Sequence, residues 1–215
     1  MGNHLLHERG RWLLHAVQIE LLSVGWIAAE AALSAVAAHQ SGSLSLSAIS
    51  MDSAIELISG MILVVRLWIE LQTGQVRISK RAEQVASALV SGLLFLLAAY
   101  IAIRAGEDLR THASIEFTPL GLAITAASSV ITPWFAVQKR RMGRVLCSTS
   151  LMGDAACNVI CTYMSWIVLA DLGLHYLFGW WFVDPIAALF LLYFIVREGL
   201  HAAEGIKTGQ HVHHH

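Results

Sequence analysis

Asp52 and Glu56 lie four residues apart in SMDSAIELISG (Ser50 to Gly60), a stretch set inside a long apolar run. On a helix, positions four apart stack on one face, so the two carboxylates stand about one turn from each other, with Ser59 continuing the stripe. A charged acid facing lipid costs on the order of 3 kcal/mol, so the pair is expected to point inward and to meet a cation or a proton. Two negative charges so close in a poorly hydrated place oppose each other, and at least one acid is expected to stay protonated when no metal is bound. The bland alternative is a pair of acids neutralised by bonds to neighbouring helices, a task that Ser, Thr and Asn perform more often in membranes.

A second stripe holds Asp154, Cys157, Asn158 and Cys161, at i, i+3, i+4 and i+7. Carboxylate and thiolate together favour zinc or a neighbouring transition metal over magnesium or calcium, whereas two cysteines at this spacing also suit plain helix packing. A short internal echo sets SMDSAIELIS beside MGDAACNVIC, matching Asp52 with Asp154 and Glu56 with Asn158. Glu30, in the middle of the first apolar run, is open to three roles: joining the site, relaying protons, or bonding to Ser or Thr on another helix. Glu20 is expected to snorkel or to pair with Arg, and Asp184 to cap a helix. His15, His39, His112 and His175 fall near the ends of apolar runs and are expected to be solvated.

Elements that position such groups must be membrane helices. With 56% hydrophobic and 13% charged residues among 215, and a mean hydropathy of +0.62, the chain is too apolar for an ordinary soluble domain. Apolar runs predict six spans, at about 17–38, 46–69, 82–104, 119–137, 147–170 and 182–201, an all-α integral membrane fold with little chain left over for a soluble domain. The first run is too long for a removable signal peptide and is expected to remain as a span. Arg9, Arg11, Arg66, Arg77, Lys80, Arg81, Lys139, Arg140, Arg141, Arg144, Arg197 and Lys207 all fall on one side of such a bundle, against Arg104 and Arg110 on the other, which predicts cytoplasmic termini. The inner joint QKRRMGR (Gln138 to Arg144) is short, so spans four and five are expected to be an antiparallel pair, and Trp180 and Trp181 are expected to lie at the opposite interface.

All three cysteines lie in or beside the fifth span, which speaks for free thiols rather than a disulfide framework. A net charge of −1 offers no footprint for nucleic acid. There is no HExxH and no nucleophile set beside a base, so enzyme chemistry is not expected. Residues 1–205 form the expected six-helix domain, and the His-rich 206–215 a flexible tail or the remnant of an affinity tag.

Six spans with both ends inside, paired polar residues on the second and fifth, and Asp184-Pro185 opening the sixth resemble the cation diffusion facilitator family. The resemblance implies that the second and fifth helices hold zinc or a similar ion near the membrane midplane, and that the protein exchanges it for protons, exports it from the cytoplasm and acts as a dimer. Carried over, the second-helix pair falls on Asp52 and Glu56. The fifth-helix pattern lies over Asp154, Cys157 and Cys161, while the internal echo would choose Asp154 and Asn158 instead. Thiols here depart from the family's His and Asp, which leaves the metal open, and the family's usual cytoplasmic C-terminal domain is not expected in so short a chain. The expected protein is thus a multi-pass transporter of the cell (inner) membrane. The competing expectation is an accessory protein that binds zinc without moving it.

Overall fold

The computed structural model describes residues 2–73, 80–112 and 116–208, with the side chains of 2–9, 73, 80–87, 149, 202 and 204–208 excepted. The basic residues Arg9, Arg77, Lys80, Arg81 and Lys207, as side chains, and the tail 209–215 lie outside this description. Six helices follow in order: α1 (Gly2–Ser41), α2 (Leu44–Thr73), α3 (Lys80–Thr111), α4 (Pro119–Leu146), α5 (Thr149–Phe178) and α6 (Val183–Thr208). The shortest has 26 residues, above the roughly 20 that cross a bilayer core. Four stretches are long and apolar enough to cross by length and composition together: Gly10–Ser41, Ala88–Thr111, Pro119–Leu146 and Ser150–Phe178. Large apolar side chains such as Leu22, Leu96, Val130, Leu177 and Phe190 face outward, which suits lipid and would be a liability in water.

Local chemistry sets the helix ends. Gly42 takes φ +70° between α1 and α2, a left-handed turn that a side chain would strain, and its N–H reaches the Ala38 carbonyl at 2.8 Å. Thr118 caps α4 ahead of Pro119, whose missing N–H is harmless in the first turn. At the other end of α4, Cys147 is left-handed, and the N–H of Ser148 bonds the Gly143 carbonyl at 2.9 Å before Ser148 caps α5. The basic QKRRMGR segment is therefore helical and the true joint is only Cys147 and Ser148, which corrects the expected position of the joint. A Cβ on Gly143 would meet Met152 at 2.9 Å, so its absence lets α4 and α5 close together at this corner.

Pro133 sits inside α4 and leaves the Ser129 carbonyl without its helical donor; the indole N–H of Trp166 on α5 takes it instead, at 3.3 Å. Contacts are most extensive between α4 and α5, α1 and α2, and α3 and α6. Ser91, early in α3, bonds the Gly199 carbonyl, late in α6, so that pair is antiparallel. We call the end where α6 stops the terminal end and its opposite the distal end. One apolar cluster, built on Leu46, Leu94, Ile101, Val168, Leu191 and Ile195, unites α2, α3, α5 and α6. A second, with Val17, Leu67, Met142 and Leu151, joins α1, α2, α4 and α5 towards the terminal end. The buried polar groups of α2 and α5 have these two apolar bodies as their neighbours.

Candidate metal centre

Asp52 and Glu56 are buried on the inner face of α2, at 4% and 8% exposure, as their spacing predicts. What they meet comes from α5. The Cys161 thiol donates to Glu56 Oε2 at 3.2 Å and stands 3.8 Å from Asp52 Oδ2. Asn158 donates from Nδ2 to Glu56 Oε1 at 3.0 Å and also to the Asp154 carbonyl at 3.1 Å. The two positions matched by the internal echo, Glu56 and Asn158, thus face each other. Four groups from two helices converge here, all of them acids, thiol or amide, with no cation touching Asp52 or Cys161 in these bonds.

Asp154 is engaged differently. Its carboxylate is held by the ammonium of Lys139 on α4, which also stands 3.2 Å from Glu20 Oε2 on α1. The Lys139 side chain is fully buried. Its place in the sequence, in a run of basic residues, puts it in the expected joint; the extension of α4 through Leu146 instead carries it inside the bundle. A buried ammonium is tolerable only with opposite charge beside it, and two carboxylates from two other helices supply that charge. The triad clasps α1, α4 and α5.

Cys157 lies one turn nearer the terminal end than Cys161 and faces Glu198 of α6. Asp52, Glu56, Asp154, Cys157 and Glu198 line one cavity of about 680 Å³, with Arg66, Arg140 and Arg197 also in its wall. Glu198 and Lys139 escaped the sequence reading because each sits in a charged segment near a helix end, where ionic residues are ordinary. Among the described residues no three His, Cys, Asp or Glu side chains stand ready as a metal cluster. The acids and thiols are instead closed on one another by hydrogen bonds.

The remaining acids have structural partners. Glu30 accepts from Ser128, which also bonds Thr132 and Ser165, so it takes part in a helix-to-helix hydrogen bond, one of its three open roles. Asp184 does cap a helix, but a different one from its own: it accepts from Ser43 Oγ and from the backbone N–H of Leu44 and Ser45 at the start of α2. Asp171, also buried, accepts from Ser45 Oγ. His15, His39 and His112 are exposed.

Long antiparallel helices with an outward apolar surface, enclosing acids and thiols near mid-helix, define an integral multi-pass membrane protein with polar groups suited to a cation. The model of the cation efflux transmembrane domain matches residues 21–204, and the chain belongs to the cation efflux family, a family of metal-cation transporters. No curated protein matches the chain in sequence.

Proposed function

We propose that this cation transporter exports zinc, or a divalent transition metal of similar chemistry, from the cytoplasm across the cell (inner) membrane in exchange for protons. Asp52, Glu56 and Cys161 hold the ion, with Asp154 and Cys157 beside it. Both termini are cytoplasmic, residues 1–205 are the transporting unit and 206–215 take no part. The homodimer follows from the family resemblance alone.

The position of the Cys161 thiol carries this reading. Zinc–sulfur and zinc–oxygen bonds of about 2.3 and 2.0 Å at a tetrahedral angle set sulfur and oxygen about 3.5 Å apart. The separations from Cys161 to the two carboxylates, 3.2 and 3.8 Å, bracket that value. A metal would thus take the place of the thiol hydrogen, with the three side chains closing further around it. The replacement must release protons, so metal affinity falls as pH falls. Acid on the far side then favours metal release there, and a rocking of helices that exposes the centre alternately to each side couples the two flows.

Flux into proteoliposomes tests the proposal. Wild-type protein should carry zinc, faster under an imposed proton gradient, and Asp52→Ala should abolish the flux. Zinc flux that survives Asp52→Ala, or ignores the gradient, would overturn the exchange. Stoichiometric zinc retention without any flux would favour an accessory binding protein.

A further inference from the structure

Each acid in the central cavity faces a side-chain partner, and one of them also keeps a buried oxygen that makes no hydrogen bond. Lys139 holds Asp154, Asn158 and Cys161 hold Glu56, and the Cys161 thiol stands near Asp52. Glu198, in contrast, has a carboxylate oxygen, Oε2, that is shut off from solvent with no hydrogen-bond partner. Its neighbour across the cavity is the Cys157 thiol. An unsatisfied buried carboxylate oxygen costs about 1–3 kcal/mol or more, so Oε2 is free to accept a further group and gains by doing so.

The donor chemistry narrows what that group is. Hard cations such as magnesium and calcium take oxygen ligands, so a sulfur in the ligand set works against them. One thiolate with one carboxylate suits a borderline-soft divalent ion that keeps water in its remaining positions, and the cavity has room for that water. Two protein ligands hold such an ion more weakly than three or four, as a stopping point on a path requires. Cys157 lies one helical turn from Cys161 on the same face of α5, so the two thiols are successive steps along one helix.

We infer that Cys157 and Glu198 form a second, weaker binding site for a thiophilic divalent cation, on the terminal side of the Asp52–Glu56–Cys161 centre. Glu198 is thereby a ligand contributed by α6, in addition to those of α2 and α5. The site rests on the transport reading only for the identity of the ion that reaches it. On binding, the Cys157 thiol gives its proton to solvent in the cavity and the sulfur bonds the metal; no electron is transferred.

Cobalt(II) titration of the purified full chain tests the inference, read by the sulfur-to-cobalt charge-transfer band, to which the His-rich tail is silent. Cys147→Ser serves as background in every sample, since that thiol is exposed and belongs to neither site. The wild-type background should show two increments of the band. Cys157→Ser should remove the weaker one, and Glu198→Gln should weaken it at least tenfold, with Glu198→Asp intermediate. In an Asp52→Asn/Glu56→Gln/Cys161→Ser background the weaker increment should persist, which separates this site from the proposed transport centre. If only that increment is ever seen, the second site stands and the reading of the centre falls. If Glu198→Gln and Glu198→Asp both bind cobalt with wild-type affinity, or every increment disappears with Cys161→Ser, the second site is refuted.

Discussion

Two groups of buried acids sit in the same bundle and are held by opposite kinds of donor. At the distal end, Asp184 takes two backbone N–H groups at 2.8 and 3.2 Å from the first turn of α2, and the hydroxyl of Ser43 besides. Those donors are the orphan amides that any helix start must satisfy, so releasing them would cost α2 its cap. Near the middle of α2, Asp52 and Glu56 meet a thiol and a side-chain amide. A thiol hydrogen can leave and an amide can turn. Burial and negative charge are common to both groups, and what separates a fastening from a working centre is whether the donors can be exchanged.

The sharpest way to break this contrast is to neutralise the centre. Glu56→Gln keeps the size of the side chain and its ability to accept from Asn158, but removes the charge a cation needs. Flux should fall to the rate of empty vesicles, while thermal unfolding in detergent stays close to that of the wild type. Flux retained at even a tenth of the wild-type rate would show that Glu56 is a fastening like Asp184.

Lys139 tests the boundary between the two kinds. Lys139→Met leaves Glu20 and Asp154 facing each other with no cation between them, and removal of one partner from a buried ion pair costs about 3–5 kcal/mol. Thermal unfolding should register that loss, and adding Glu20→Gln should recover part of it. Unchanged stability in Lys139→Met would mean that the triad is not holding α1, α4 and α5 together.

Much of this was legible in the sequence, for reasons that differ by residue. The helices announce themselves through apolar runs of membrane length, and the inward facing of Asp52 and Glu56 follows from the expense of exposing acids to lipid. Cys161 was found because it lies on the helical stripe that begins at Asp154. Lys139 was misplaced because its partner Glu20 is 119 residues away, and no local periodicity encodes such a pairing. Position alone made Asp184 look like a cap for its own helix, although its donors belong to α2. Glu198 lies in REGLHAAEG, where a charged residue signals only a helix end until the fold sets it beside Cys157.

At the distal end, Asp184→Ala should cost about 1–2 kcal/mol, the scale of a lost helix cap, with flux per folded molecule unchanged within about twofold. Abolished flux in well-folded Asp184→Ala would erase the distinction between the two groups of acids. The smallest effect belongs to neither group. Trp166→Phe keeps an aromatic ring against lipid but removes the donor to the Ser129 carbonyl that Pro133 leaves open. One hydrogen bond is worth about 1 kcal/mol, and unfolding should shift by that amount with flux intact. Pro133→Ala restores the backbone donor, so Trp166→Phe should then cost less. An equal cost in both backgrounds would show that the indole contributes by packing, and that the bundle tolerates its broken helix without the repair.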